Sequence, residues 1–223
     1  MIVSIHQPSY FPWLGTLDKI KKSDLYIYLN SVQLIDNGYQ HRNIFLSNQL
    51  KEHLLTIPIN KKNYLSKTIN ELETIDDRWK KKHYDFLFFN YKKHPYFNEI
   101  NPYLEKFYSQ DFTNLDEILF SSMKISLDLL GIKTKIIKSS DLNLDKNLKK
   151  EDLILEILEQ VKATTYLSGT GAKSYQNEEN FKAKGIKLVY QDFKHPIYEQ
   201  YKNKEFVFGL SCLDFLFNKG IQK

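Results

Sequence analysis

The chain has 223 residues, and its 32 Lys and Arg against 27 Asp and Glu give a formal net charge of +5. A hydrophobic fraction of 42% and a charged fraction of 26% exclude a wholly disordered chain, and no apolar run approaches the roughly 18 residues that a membrane-spanning helix needs. The single cysteine, Cys212, excludes an internal disulfide framework and a thiolate zinc site, so we expect a cytoplasmic protein.

The positive charge consists almost entirely of lysine, because Arg42 and Arg78 are the only arginines. Nucleic-acid surfaces commonly use the arginine fork to contact phosphates and base edges. The lysines also occur with abundant Asn, Ile, Tyr and Phe, a composition typical of AT-rich coding sequence. We therefore predict no nucleic-acid partner, and the lysines reflect either codon bias or a surface for another polyanion.

The chain opens with a strand, a loop, a helix and a second strand. Residues 2–5 and 25–29 are predicted as the strands, and residues 14–22 as the helix. The loop over residues 6–13 contains two prolines, which stiffen its backbone. Such a unit favours parallel pairing of its strands through a right-handed crossover.

After this unit the residue patterns predict a hairpin, then a helical block, then short strands that alternate with helices. In chain order the predicted segments are a hairpin over 42–58, largely helical structure over 74–108 with breaks near Pro95 and Pro102, a helix over 115–130, a strand over 133–137, a helix over 151–161, a strand over 165–167, a short helix around Phe181, a strand over 186–190 and a helix over 211–218. We therefore predict an α/β fold with a mostly parallel, Rossmann-like sheet flanked by helices. The prediction is one domain over residues 1–223, with a helical insertion at about 78–109.

The loop after the first predicted strand is rich in polar and aromatic side chains, and open α/β sheets bind ligands at such strand ends. His6 could act as a general acid or base, and Gln7 could donate or accept hydrogen bonds. Tyr10 and Trp13 could stack on a sugar or a base. Lys19, in the helix that follows, could neutralise a phosphate. The alternative is a rigid, packed entry to the helix, with the imidazole bonded to backbone.

A second loop, residues 168–174, also follows a predicted strand. Its backbone N–H groups around Gly169 and Gly171, together with Ser168 and Lys173, could hold an anion. The glycine spacing matches neither a Walker nor a Rossmann motif, so a plain turn is the alternative.

A third loop, residues 192–200, follows the last predicted strand. His195 could act on a substrate, and Tyr198 and Gln200 could form hydrogen bonds with it. The alternative is an extended exit loop set by a proline. If the strands are parallel, the three loops meet at one edge of the sheet.

Other polar residues have simpler explanations. Ser211 and Asp214 have the spacing of a capping box at the last helix, and Cys212 lies in an apolar context that favours packing over nucleophilic chemistry. Arg42 could contact a carboxylate or phosphate, or form a surface ion pair. The six histidines show no paired metal-ligand spacing, so we predict no metal site. The sequence also contains no GxSxG motif of the kind that carries a nucleophilic serine.

Taken together, these motifs resemble the WbqC-like family, and the resemblance spans nearly the whole chain. The residues that carry it are His-Gln-Pro-x-Tyr-Phe-Pro-Trp-Leu-Gly at 6–15, Lys19 with Ile20, Val32 with Gln33, Tyr39 with Arg42 and Asn43, Thr-Tyr-Leu-Ser-Gly at 165–169 with Gly171 and Tyr175, Tyr-Gln-Asp-Phe-Lys-His-Pro-Ile-Tyr at 190–198 with Gln200, and positions within 210–220. Asn30 stands where the family pattern leads us to expect an aspartate.

The family is associated with bacterial surface-polysaccharide (O-antigen and capsule) gene clusters, so the resemblance implies a pathway more firmly than a reaction. Our hypothesis is an enzyme that transfers an acyl or aminoacyl group to a nucleotide-linked amino sugar. His6 is the first candidate base and His195 the second, with Gln7 as a donor. The candidate substrate-binding residues are Tyr10, Trp13, Lys19, Arg42, Asn43, Ser168, Gly169, Gly171, Lys173, Tyr175, Tyr198 and Gln200.

In this hypothesis the acyl donor is coenzyme A or the thioester of an acidic carrier protein, which the Lys-rich helical segment at 80–93 could bind. Two alternatives stay open. One is a nucleotidyltransferase of the HUP type, although that signature pairs two histidines and only one is present here. The other is a non-catalytic sugar-binding or scaffold protein of the same pathway.

Overall fold

The computed structural model describes residues 1–222, which form seven strands and seven helices. The strands are β1 (Ile2–His6), β2 (Leu25–Tyr28), β3 (Arg42–Leu46), β4 (Glu52–Thr56), β5 (Lys135–Lys138), β6 (Thr165–Ser168) and β7 (Lys187–Tyr190). The helices are α1 (Leu14–Lys21), α2 (Arg78–Tyr91), α3 (Phe97–Tyr108), α4 (Leu115–Leu129), α5 (Lys150–Gln160), α6 (Glu178–Ala183) and α7 (Cys212–Lys219). None of these helices is long and apolar enough to cross a membrane.

The described residues group into two compact units, each built from several stretches of the chain. The first unit consists of Met1–Gln7, Gly15–Ser31 and Lys133–Lys194, and the second consists of Pro8–Leu14, Val32–Ile132 and the residues from His195 onward.

The first unit contains a five-stranded parallel sheet in the order β5-β2-β1-β6-β7. This arrangement confirms the predicted α/β, Rossmann-like fold and the parallel pairing of the first two strands. Starting from the central β1, the chain adds β2 and β5 on one side and then β6 and β7 on the other. The order of connection therefore reverses between β1 and β6, and open α/β sheets bind ligands outside the carboxyl ends of the strands at such a switch point.

Side-chain burial follows the strand pattern in this unit. Val3, Ser4 and Ile5 of β1 are buried, whereas His6 at the carboxyl end is exposed. On β6 the ring of Tyr166 stacks on that of Phe181 in α6, at 5.7 Å between centroids. The middle of β1 is thus buried in the core of the unit, and its carboxyl end reaches the surface.

The second unit combines the antiparallel hairpin β3–β4 with the helices α2, α3, α4 and α7. Its core is aromatic: the ring of Phe217 stacks on Tyr91 at 4.6 Å and on Phe97 at 5.6 Å. The hairpin and the helix at 115–130 are confirmed, with Asn114 capping α4 by accepting a hydrogen bond from the Glu117 backbone at 2.9 Å.

Two local predictions differ from the structure. Helix α2 begins at Arg78, and Asp76 accepts a hydrogen bond from that backbone N–H just before the helix starts. Pro102 does not break α3 but lies inside it. A proline there costs about 3 kcal/mol of helix stability, and burial of the apolar face that includes Ile100, Leu104 and Phe107 offsets that cost.

Candidate functional site

His6 is positioned by the switch point of the parallel sheet. It ends β1, is exposed, and its Nδ1 lies 2.9 Å from the carbonyl oxygen of Gln7. Because a carbonyl can only accept a hydrogen bond, Nδ1 carries the proton and Nε2 keeps its lone pair. Among residues 1–222 no group is hydrogen-bonded to that Nε2. The imidazole therefore presents a proton acceptor at the edge of the sheet where open α/β folds generally bind ligands.

The electrostatic surroundings keep this imidazole neutral. The pKa of His6 is lowered from 6.5 to about 3, first because the surrounding protein desolvates the ring and second because the Lys19 ammonium opposes a second positive charge. The hydrogen bond with Gln7 works in the opposite direction. The imidazole of His6 is therefore neutral at pH 7.

Lys19 projects from α1 into the interior of the first unit. The residue is only 3% exposed, and its Nζ donates a hydrogen bond of 3.3 Å to the carbonyl oxygen of Ile5. No carboxylate in the described part of the chain forms an ion pair with it, and desolvation lowers its pKa from 10.5 to about 8. Lys19 is thus a buried ammonium that remains mostly protonated at pH 7.

The loop after β6 lies beside this ammonium. A Cβ atom placed on Gly169 would lie 3.8 Å from the Lys19 Nζ and would meet no other atom within 4 Å. The preceding Ser168 is buried, and its hydroxyl donates a hydrogen bond of 3.0 Å to Oε1 of Gln176. Within the first unit, the structure therefore places Lys19 beside Gly169, whereas the candidates Tyr10 and Trp13 of the first loop belong to the second unit.

The outer part of that loop is open. A Cβ at Gly171 would meet nothing within 4 Å, and Tyr175 is 63% exposed. Lys173 is exposed, and its Nζ lies 5.8 Å from the ring centroid of Tyr190, the last residue of β7. These side chains offer an aromatic surface and a mobile cation rather than a closed cavity.

Sequence reasoning missed Gln191, the residue directly after β7. Its Nε2 donates to the carbonyl oxygen of Gly15 and to Oδ2 of Asp18, both at 2.8 Å. Asp18 also forms an ion pair of 2.8 Å with Lys22. The strand-end argument that selected the other loops applies to Gln191 as well. The Gln191 side chain fixes the end of β7 to α1 through these two hydrogen bonds.

Asn30, which stands where we expected an aspartate, is fully buried after β2. Its Nδ2 donates to the hydroxyl of Ser140 at 3.1 Å, while its Oδ1 accepts from the Ser140 backbone at 3.1 Å and from the Ser139 hydroxyl at 3.2 Å. An aspartate could not donate to Ser140, so the amide suits this network and ties β2 to the turn after β5.

In the second unit, Tyr10 lies in the core. It is 0% exposed, and its hydroxyl is hydrogen-bonded to Nδ1 of His83 at 3.1 Å and to the hydroxyl of Tyr108. The ring therefore has no face open to a ligand. Trp13 is 39% exposed, and Arg42 donates from Nε to the carbonyl oxygen of Gly38 at 2.8 Å.

Asn43 fixes the conformation of the proline-containing loop. Its Nδ2 donates to the carbonyl oxygens of Tyr10 at 3.0 Å and Phe11 at 2.8 Å, and its Oδ1 accepts from the Ile44 backbone at 2.8 Å. Phe11 has a φ of 39°, in the left-handed region that bulky residues rarely adopt. The Ser211 hydroxyl also donates to the Phe11 carbonyl at 2.9 Å, so side chains hold the strained backbone in place.

Replacing Asn43 by Ala is expected to lower the free energy of unfolding by roughly 2–4 kcal/mol, since three buried hydrogen bonds are lost together. Urea unfolding at pH 7 measures this change. The matched control is Asn48→Ala in the exposed hairpin turn, which we expect to stay within about 0.5 kcal/mol of the unmodified protein. Equal stability of the two variants would show that Asn43 does not support the loop.

A buried carboxyl group organises the third predicted loop. Oδ2 of Asp214 accepts hydrogen bonds from the Tyr198 hydroxyl at 2.7 Å and from Nε2 of Gln200 at 3.1 Å, and desolvation raises the pKa of Asp214. Asp214 does not cap α7 as we expected; the Ser211 hydroxyl does so by accepting from the Leu213 backbone. His195 is half-buried, with its ring 6.5 Å from that of Tyr198 and its Nδ1 2.9 Å from the Pro196 carbonyl oxygen.

The remaining thiol and acidic groups offer no further reactive centre. Cys212 is fully buried, its thiol donates to the Ser126 hydroxyl at 3.3 Å, and burial raises its pKa to about 12. A thiol of that kind is packed rather than nucleophilic. Within residues 1–222 no group of three or more His, Cys, Asp or Glu is placed to hold a metal ion.

Comparisons with known proteins identify a family for this chain but no activity. A model of the WbqC-like protein family matches residues 7–223. The chain is 29% identical over 226 aligned residues to the uncharacterized protein Rv1507c of Mycobacterium tuberculosis, and the alignment covers 99% of this chain and 94% of that protein. No solved structure gives a significant match.

Proposed function

This chain belongs to the WbqC-like protein family, and we propose that it is a cytoplasmic enzyme of bacterial surface-polysaccharide biosynthesis that transfers an acyl or aminoacyl group to the amine of a nucleotide-linked amino sugar. One observation carries the proposal: exposed His6 presents an unprotonated Nε2 at the switch point of a parallel sheet. A neutral imidazole with a free nitrogen is the group that an attacking amine needs as a proton acceptor.

In the proposed reaction, the sugar amine attacks the carbonyl carbon of a thioester. A C–N bond forms while the amine proton passes to Nε2 of His6, and the C–S bond then breaks as the tetrahedral intermediate collapses. The imidazolium returns its proton to the departing thiolate. Gln7 and the backbone N–H groups at Gly169–Gly171 supply the donors for the negative charge that develops on the carbonyl oxygen.

The acyl donor in this proposal is coenzyme A or the thioester of an acidic carrier protein. Helix α2 and the turn after it expose Lys82, Lys92 and Lys93, and Phe89 is 60% exposed with the Lys92 Nζ 5.3 Å from its ring centroid. A positive surface with an aromatic residue among its lysines suits an acidic partner, because charge steers the encounter and the ring supplies apolar contact.

Replacing His6 by Ala is expected to lower turnover by roughly 10²–10⁴-fold and to leave substrate binding unchanged, because an exposed general base contributes to the transition state and not to folding. The measurement is acyl transfer from a thioester to a nucleotide-linked amino sugar, together with the shift in melting temperature that the sugar alone produces. His53→Ala is the control, since His53 is also exposed but lies on the hairpin of the second unit.

The same screen separates this proposal from its alternatives. Full turnover by His6→Ala would contradict the assigned base. An absence of stabilisation by every nucleotide sugar and acyl donor tested would contradict the enzyme proposal as a whole and favour a scaffold role.

Nucleotidyl transfer is the second candidate, and the strand order favours it. A central β1 with the connection reversing toward β6 is the arrangement in which doubly wound sheets bind mononucleotides. This candidate predicts stabilisation by a nucleoside triphosphate with magnesium and turnover without any acyl donor.

A further inference from the structure

Lys19 is a buried cation that forms no ion pair within residues 1–222. Lysines are rarely buried unless they are paired, because the desolvation of an ammonium is costly. Of the three N–H donors on Nζ, one is used by the Ile5 carbonyl oxygen, and no other hydrogen bond to Nζ is formed within residues 1–222. A chain that keeps such a group needs a negative partner that comes from outside.

The position of Nζ indicates where that partner lies. The atom sits next to the penultimate residue of β1 and 3.8 Å from the place where a side chain on Gly169 would begin. Because glycine has no side chain, an anion can approach both the ammonium and the backbone that follows β6. This is the switch point of the sheet, where α/β folds commonly hold phosphate groups.

We propose that Lys19 and the backbone at Ser168–Gly169 bind a phosphate group of the nucleotide-linked substrate, and that the bound phosphate turns His6 from a poor proton acceptor into an effective general base. This inference rests on the function proposed above in one respect, the identity of the phosphate carrier.

The coupling follows from the charges around the imidazole. In the free protein the Lys19 ammonium is the charged group that acts on His6, and it disfavours protonation of the ring. From β2, Tyr28 lies beside His6 in register, and Tyr26 donates a hydrogen bond of 3.3 Å to the His6 carbonyl oxygen. Burial raises the pKa of Tyr26 above its usual range, so its phenol stays neutral. A phosphate next to Lys19 cancels the ammonium field, and His6 then accepts a proton more readily.

The consequence for the reaction is that the base becomes effective only when the acceptor substrate is bound. A neutral imidazole of low basicity does little to help water attack a thioester. Once the phosphate of the sugar nucleotide is bound, the ammonium no longer opposes protonation of the imidazole. The basicity of His6 then rises toward that of a free histidine, while desolvation by the surrounding protein still lowers it.

The test uses inorganic pyrophosphate and NMR titration of the histidine rings in the full-length protein. Pyrophosphate at saturation is expected to raise the titration midpoint of His6 by at least one pH unit. In Lys19→Met the midpoint of His6 should be higher than in the unmodified protein without ligand, pyrophosphate should not raise it further, and binding should weaken at least tenfold. Lys21→Met, an exposed position on the same helix, is the matched control and should behave as the unmodified protein does.

Gly169→Ala tests the same site through shape. An added methyl group would be in ordinary contact with Nζ, so the variant should fold normally while its binding of pyrophosphate weakens several-fold. Lys19→Met should melt no lower than the unmodified protein, because an unpaired buried charge is replaced by an apolar side chain of similar length. If Lys19→Met does not fold, Gly169→Ala decides the question.

An unchanged His6 midpoint at saturating pyrophosphate would overturn the inference, as would failure of the unmodified protein to bind pyrophosphate or undiminished binding by Gly169→Ala. None of these measurements requires turnover. A protein that shows the coupling but transfers no acyl group would contradict the proposed reaction and leave the phosphate site standing.

Discussion

Asp214→Ala should lower the free energy of unfolding by roughly 3–5 kcal/mol, a large part of the stability of an ordinary domain. The carboxyl group is completely buried. Its removal takes away the acceptor of the Tyr198 hydroxyl and one of the two acceptors of the Gln200 amide, which also donates to the Val207 carbonyl oxygen. Each buried donor left unsatisfied costs about 1–3 kcal/mol, and the cavity adds to that cost. Urea unfolding at pH 7 measures the difference.

Asp214→Asn is the informative partner variant. An asparagine oxygen can accept from both Tyr198 and Gln200, and desolvation already disfavours the charged carboxylate, as its raised pKa indicates. The amide nitrogen, however, takes the place of Oδ1, a buried atom without a hydrogen-bond partner among residues 1–222. We therefore expect a loss of about 1–3 kcal/mol, smaller than that of Asp214→Ala. If Asp214→Asn unfolds as easily as Asp214→Ala, the negative charge itself is required, and the charge interaction with His195 would then be its function.

The parts of the fold that could be predicted from sequence are those with local signals. Apolar strands bounded by turn residues, together with a capped helix such as α4, are sufficient to predict a parallel sheet and the loops at its ends. The candidate base His6 follows from that reasoning because it ends a strand, whereas Lys19 is a candidate because it lies on the helix that follows.

The parts that could not be predicted depend on distant residues. An aromatic residue such as Tyr10 gives the same sequence pattern whether its ring faces a ligand or the core. In the structure the ring is buried, and its hydroxyl is hydrogen-bonded to His83 and Tyr108, which lie far along the chain. Asn43 likewise gives no sign in the sequence that it holds the Phe11 backbone. Whether a polar residue of a motif shapes the loop is therefore decided by its hydrogen-bond partners, which the sequence does not show.

Burial also distinguishes Lys19 from an ordinary surface lysine. Helical spacing places the residue on α1, but only the structure shows that the ammonium is enclosed and forms no ion pair with a carboxylate of residues 1–222. The sequence motif gives the His6 imidazole and the Lys19 ammonium as separate groups. In the structure they interact, because the charge of the ammonium lowers the pKa of the imidazole. Such coupling is common at functional sites.

Acid should destabilise the protein well before its carboxylates titrate. His83 is 2% exposed, and burial lowers its pKa from 6.5 to about 4. The pKa values of His41 and His94 are lowered to about 4 for the same main reason. Between pH 6.5 and 4 these histidines therefore bind protons in the unfolded state but remain neutral in the folded state. The resulting stability is complete above pH 6.5 and is lost as the pH falls from 6.5 toward 4. For His83 alone the loss is roughly 3 kcal/mol.

His83→Phe isolates the largest buried contribution. The variant loses the hydrogen bonds of the ring with Tyr10 and with the Thr56 backbone, so it should be less stable at pH 7. It no longer takes up a proton on unfolding, so its melting temperature should fall less steeply between pH 6.5 and 4.5, and the deficit against the unmodified protein should shrink in acid. His53→Phe, at an exposed position, should keep the steep profile because that variant retains the buried imidazole of His83. Parallel pH profiles for His83→Phe and the unmodified protein would show that some other group drives the acid transition.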